Sequence, residues 1–280
     1  MSSEQHAGPV GGGHVPRRTV LAGAAAGLAA SLTALGSQAA QAAENVYADP
    51  PKPGLPKTEM QLDARHAALV IIDPQIDFLS PNGVAWGVVG KSVTEHGTVR
   101  NIGRLLEAAK RARLPVAVSP HYYYPYDHRW DFGGPLEVLM HKIHMFDRTS
   151  PLSLADFEGS GADFMPEYKA QLLDGQTIIA SPHKVYGPSS NDLVLQLRKR
   201  KVQQVVLAGM SANLCVESHL RELIENGFEV AVVRDATAAA RVPEGDGYLA
   251  AIINFRYIAN ALWSTDEAVA FLVQERASAG

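Results

Sequence analysis

Five short apolar runs recur along this chain, each closed by polar or turn-forming residues, with segments of helical spacing between them. Residues 67–72 end at Asp73-Pro74, residues 114–119 follow Arg113, residues 176–180 and 204–209 come next, and residues 229–233 end at Arg234-Asp235. Continuous rather than alternating hydrophobicity marks a strand buried on both faces. Val99, Ile102, Leu106 and Ala109 keep helical spacing, as do Leu193 with Leu197, and Val216, Leu220 and Ile224 ahead of a stop at Gly227. Ser264 with Glu267 forms a capping-box start for a last helix. Strands alternating with helices predict right-handed crossovers and an α/β, three-layer Rossmann-like fold, a mostly parallel sheet with helices on both faces. Ligands in such sheets sit beyond the carboxyl ends of the strands. Asp73, residues 119–131, Lys184 and the turn at residues 210–215 are therefore where chemistry is expected.

At 280 residues, 46% hydrophobic and 19% charged, the chain has the apolar content for a full core and lacks the signature of disorder. A formal net charge of -4 supplies no basic field for a phosphate backbone, which argues against nucleic acid and for a small-molecule substrate. The single cysteine, Cys215, excludes an intrachain disulfide and a cysteine-cluster metal site.

The first residues read as an address. Polar residues end in Arg17-Arg18, residues 19–43 carry no charge, and the stretch closes on Ala40-Gln41-Ala42. Pro16-Arg17-Arg18-Thr19-Val20-Leu21 is similar to a twin-arginine export signal, so residues 1–43 are expected to be a cleaved leader and the mature protein to be periplasmic or extracellular, without a membrane partner. Residues 44–62, with Pro50, Pro51, Pro53 and Pro56, are expected to form an extended arm or linker, and residues 63–280 the domain.

Cys215 follows the fourth apolar run by a short turn and directly precedes an amphipathic helix. A sulfur at a helix N-terminus is favoured as thiolate, more so beside an ammonium, and the free N–H groups there can hold an oxyanion. A packed, inert cysteine is the alternative. Asp73, at the end of a buried strand, needs a partner to offset desolvation, and serves either as a structural acceptor or as an acid/base. Lys184, in Ala180-Ser181-Pro182-His183-Lys184-Val185-Tyr186, is either a solvated charge or the third member of a group converging on one rim of the sheet.

Ala68-Leu69-Val70-Ile71-Ile72-Asp73-Pro74-Gln75-Ile76-Asp77-Phe78, then Lys184, then Leu207-Ala208-Gly209-Met210-Ser211-Ala212-Asn213-Leu214-Cys215-Val216-Glu217 resemble the three motifs of the isochorismatase-like cysteine hydrolases. That family includes nicotinamidases, N-carbamoylsarcosine and related ureido amidohydrolases, and isochorismatases proper. The resemblance implies that Cys215 is the nucleophile, Asp73 the proton acceptor and donor, and Lys184 the cation holding the thiolate. It also implies a cis Met210–Ser211 peptide, an oxyanion hole of the Ser211 and Cys215 backbone N–H groups, a non-catalytic role for Asp77, and a homodimer or homotetramer. The implied reaction is C–N cleavage of a small amide or ureide through a thioester.

Nicotinamidases place an Asp-x-His pair and a later His around a metal after the second strand. Here Ser119-Pro120-His121 lacks the carboxylate, so neither a dedicated metal nor another cofactor is expected, although His121, Asp127, His128 and Asp131 carry ligand chemistry. Phe78, His121, Trp130 and Tyr186 are expected to line the substrate site. The Tyr122-Tyr123-Tyr124-Pro125-Tyr126 run with Trp130 and Phe132 fits an aromatic pocket wall or a subunit interface equally. Two rival readings are a metal-assisted nicotinamidase and an exported binding protein that keeps the fold without turnover.

Overall fold

The computed structural model describes residues 45–278, so the leader read at residues 1–43 lies outside the described part of the chain. The chain divides into two units between Ala48 and Asp49. In the first, the described residues 45–48 form a turn closed by a 2.8 Å bond from the Ala48 N–H to the Asn45 carbonyl. The second holds the strands β1 (Ala67–Ile72), β2 (Val116–Ser119), β3 (Ile178–Ile179), β4 (Gln204–Gly209), β5 (Glu229–Thr237), β6 (Arg241–Val242), β7 (Gly245–Asp246) and β8 (Ala261–Trp263).

Six of these form one sheet in the order β3-β2-β1-β4-β5-β8, and every pairing in it is parallel. The five apolar runs are β1 to β5. β8, only three residues long, adds an edge that no periodic signal announces, and β6–β7 is a separate antiparallel pair.

The layers follow from residue parity, because successive side chains of a strand face opposite sides. Leu69 and Ile71 of β1, Val206 and Ala208 of β4 share a core with Ile102, Leu105 and Leu106 of the helix Thr98–Ala112 and with Leu272 of the helix Thr265–Ser278. The alternate residues Ala68, Val70, Ile72, Val205 and Leu207 are equally buried, as are Leu220, Leu223, Ile252 and Phe255 of the helices Glu217–Glu225 and Gly247–Ile258. Helices thus cover both faces. Among the described residues no helix is long and apolar enough to cross a membrane.

Within this unit residues 49–62 are an arm packed along the domain rather than a free linker. Asp49 pairs with Arg234 and Arg256 at 2.8 and 3.0 Å, the Thr58 hydroxyl donates to the Asn260 carbonyl at 2.7 Å, and Met60 and Leu62 are buried in the core.

From β1 the chain moves outward to β2 and β3, then returns to β4 on the other side of β1. The order reverses between β1 and β4, which opens a crevice outside their carboxyl ends. Gly209 closes β4 at φ 115°, and a Cβ there would collide with the Ile72 backbone. Gly209→Ala is therefore expected to cost at least about 3 kcal/mol of unfolding free energy in a urea titration; unchanged stability would contradict the close approach of β4 to β1.

Candidate active site

The crevice is built from the turns that follow β1, β2, β3 and β4. After β4 the Met210–Ser211 peptide is cis, and residues Ala212–Val216 make one π-helical turn that runs directly into the helix Glu217–Glu225. The Met210 N–H bonds the Ile72 carbonyl at 2.9 Å and the Ala212 N–H bonds the Ala238 carbonyl at 2.8 Å, which fixes the turn between β1 and the segment after β5. The Ser211 and Cys215 N–H groups are aimed at the Cys215 sulfur.

One helical turn further on, the His219 Nδ1–H donates to the Cys215 carbonyl at 2.6 Å, while its Nε2 accepts from the Ser119 hydroxyl at 2.8 Å. Asn191 Nδ2 in turn donates to the Ser119 oxygen at 2.8 Å. This pattern of donors and acceptors suits a neutral His219, and burial pushes its pKa well down.

Asp73, fully buried and left-handed at φ 48°, receives the His183 Nε2–H on its Oδ1 at 2.8 Å, and its Oδ2 has no hydrogen-bond partner among the described residues. His183 is held by a 3.0 Å bond from its own N–H to the Pro120 carbonyl, in a bridge to His121. His121 is gripped at both ends of its peptide by Gln75, whose Oε1 accepts the His121 N–H and whose Nε2 donates to the His121 carbonyl, both at 2.9 Å. Asp73, His121, His183 and Cys215 are all buried, and one ligand-type atom from each lies within 4.8 Å of the others. Carboxylate, imidazole and thiolate are also donors that a transition metal accepts.

Lys184 is not part of this group. Its ammonium donates to Asp127 Oδ2 at 2.5 Å and to the Tyr122 carbonyl at 2.9 Å, and lies 3.9 Å from the centre of the Tyr124 ring. The reason is parity: in the extended segment after β3, neighbouring side chains point to opposite sides, and His183 takes the inward place. The alternation of that segment was the available signal for His183; nothing in the local sequence marks Asp127 as the lysine's partner.

The thiol departs from expectation as well. Burial, and then the nearby Asp73 charge, push the Cys215 pKa well above its ordinary value, and the Ser211 and Cys215 N–H groups only partly oppose them. With the ammonium committed to Asp127, burial and the Asp73 charge favour the neutral thiol. Iodoacetamide labelling of Cys215 is accordingly expected to be slow at neutral pH and to rise only in the alkaline range; labelling at pH 7 as fast as that of an activated thiolate would contradict this.

The other expected site residues scatter. Tyr186 is half-buried, and burial, followed by the Glu137 charge, pushes its phenol pKa up. Trp130 stays 38% exposed, edge-on to Tyr123 and against His141. Phe78 belongs to the core, edge-on to Phe146 at 5.2 Å. Of the aromatic run, Tyr122, Tyr123 and Tyr124 are buried while Tyr126 is exposed. Asp77 is a structural acceptor, taking the Phe146 N–H at 2.7 Å, and Gly161 is small because a Cβ there would strike the Asp77 carboxylate.

A buried thiol beside a carboxylate and imidazoles, at the reversal point of a parallel sheet, defines an α/β hydrolase of the cysteine type. The isochorismatase domain model matches residues 67–267, and the chain belongs to that family of isochorismatase-like cysteine hydrolases. It is 27% identical over 188 residues to the ureidoacrylate amidohydrolase RutB of Variovorax paradoxus (strain S110), covering 64% of this chain and 71% of that protein. With the protein of the same name from Rhizobium rhizogenes (strain K84 / ATCC BAA-868) it shares 24% identity over 216 residues, 74% of this chain and 82% of the relative. Among solved structures, a cysteine hydrolase from Pseudomonas syringae pv. phaseolicola 1448A superposes with a TM-score of 0.65 at 19% identity, over 80% of this chain and all (100%) of that one, a likeness of fold.

Proposed function

We propose that the protein hydrolyses a C–N bond of a small amide or ureido substrate through a thioester on Cys215. The observation that carries this reading is the convergence of the Cys215 sulfur, the Asp73 carboxylate and the His183 imidazole, with two backbone N–H groups turned to the sulfur. The names of the amidohydrolase relatives point to the ureido class.

In this cycle the substrate carbonyl sits against the Ser211 and Cys215 N–H groups, which stabilise the oxyanion as the sulfur attacks. The thiol is neutral beforehand, so its proton passes to Asp73 as the S–C bond forms. Asp73 then hands that proton to the departing nitrogen, and the C–N bond breaks to leave the thioester. A water gives a proton to Asp73 and attacks the thioester; the acid leaves and the proton returns to the sulfur. His183 keeps the Asp73 carboxylate oriented through its Nε2–H and supplies a second proton-carrying group beside it. This role replaces the fixed ammonium that the motif resemblance assigned to Lys184.

The metal-assisted nicotinamidase reading has less support, because Ser119 stands where that chemistry needs a carboxylate ligand and its hydroxyl is engaged with His219 and Asn191. Ammonia release from a panel of ureides, simple amides and nicotinamide, each with and without chelator, tests the assignment. Turnover of ureides or amides that persists with chelator is expected. Turnover of nicotinamide alone, abolished by chelator, or no turnover of any C–N substrate, would overturn it.

A further inference from the structure

We propose that His128, His144 and Asp147 form a binding site for a divalent transition-metal cation, separate from the catalytic group. His128 lies on the 3-10 turn Asp127–Arg129, and His144 and Asp147 follow the helix Pro135–Lys142. The two imidazoles meet on one carboxylate: His128 Nε2 is 2.7 Å from Asp147 Oδ1 and His144 Nδ1 is 2.8 Å from Asp147 Oδ2. One ligand atom from each residue lies within 4.8 Å of the other two.

The surroundings favour a cation. Among the described residues no lysine or arginine pairs with Asp147; its ion pairs are with these two histidines. A third imidazole, His141, lies at a tilt 4.6 Å from His128 and keeps a buried Nε2 with no hydrogen-bond partner among the described residues. The backbone holds the two segments in register, with the Tyr123 N–H bonded to the Phe146 carbonyl at 3.1 Å and the Arg148 N–H to the Tyr123 carbonyl at 2.8 Å. His144 and Phe146 both take left-handed conformations, φ 57° and 60°, costly for residues with a side chain and tolerated where the surroundings fix them.

Two imidazole nitrogens and a carboxylate oxygen suit Zn²⁺, Co²⁺ or Ni²⁺ better than a hard cation such as Mg²⁺. Coordination needs each ring to carry its proton on the nitrogen facing away, and the 2.7 and 2.8 Å contacts to Asp147 to open as the ion enters between them. With the His144 side chain 78% exposed, water or a small anion completes the shell, as in sites of three protein ligands. His121, the imidazole after β2, belongs to the catalytic group and not to this one. The Tyr123 ring touches both, lying 4.6 Å from His121 and 4.4 Å from His141. A bound ion would therefore clamp the aromatic segment beside the crevice without touching the thiol.

The test is titration of the chelator-treated full chain with ZnCl₂ by calorimetry and with CoCl₂ by visible spectroscopy, for wild type, His144→Ala, Asp147→Asn and Cys215→Ala. Loss of an outer-shell partner alone weakens metal sites by about 10–100-fold, so His144→Ala and Asp147→Asn should each weaken binding at least about tenfold. Cys215→Ala should bind as wild type, and the cobalt spectrum should lack a thiolate charge-transfer band. His144 is exposed, which makes its variant the safer one for folding, and a rise in melting temperature on adding Zn²⁺ should appear in wild type and not in that variant. No binding by wild type, equal binding by wild type and His144→Ala, or a charge-transfer band lost in Cys215→Ala would overturn the assignment. Amide turnover is read separately, so failure here leaves the proposed reaction standing.

Discussion

Cys215→Ala is expected to lower ureide or amide turnover by at least about 10⁴-fold, because covalent catalysis ends with the sulfur while the oxyanion hole and binding alone survive. Folding should change little. The replacement removes one buried atom, a cavity cost of about 1 kcal/mol, and it also removes the thiol that sits beside the Asp73 charge. Steady-state rates together with a urea titration separate the two effects. A variant retaining more than about a tenth of wild-type kcat would mean that the sulfur is a packing atom and that another group attacks the substrate.

The second large effect separates two neighbours. His183→Ala is expected to lower kcat by about 10²–10⁴-fold, the usual contribution of a positioned proton-transfer group, since it leaves Asp73 Oδ1 without its donor. Lys184→Ala should change kcat by less than about tenfold, its ammonium being committed to Asp127 and the Tyr122 carbonyl. The loss there should fall on stability, because Asp127 is buried and, among the described residues, keeps the Tyr124 N–H as its remaining hydrogen-bond donor at 2.8 Å. His183→Gln, which can restore an N–H donor, should recover part of the rate lost in His183→Ala. The opposite ranking, with Lys184→Ala the inactive variant, would restore the lysine to the chemistry and displace the imidazole.

Much of this arrangement was legible in the linear chain because it depends on local signals. A continuous apolar run that ends in Asp73, and a second that ends in Gly209 before a turn and a helix, fix which strand ends carry polar groups. Parallel pairing then brings them to the same rim. What could not be read is what depends on side-chain direction. Lys184 and His183 are adjacent, and a shift of one position in an extended segment exchanges inside for outside. Composition does not reveal that shift; the pairing of His183 with His121 across β2 and β3 does. The raised pKa of the thiol is hidden from the sequence for a related reason. A helix N-terminus was visible in the sequence, whereas full burial and a neighbouring carboxylate emerge only from packing, and they outweigh it. β8 escaped notice because three residues offer no period to detect. The aromatic run that fitted either a wall or an interface divides, with three tyrosines buried and Tyr126 outside.

Mass spectrometry of the enzyme acid-quenched during turnover of a reactive ureide or amide tests the covalent step directly. An acyl adduct is expected on the peptide that contains Cys215, absent from Cys215→Ala and longer-lived in His183→Ala. Steady turnover with no adduct at Cys215, or with the acyl group on another residue, would contradict the thioester and with it the roles given to Asp73 and His183.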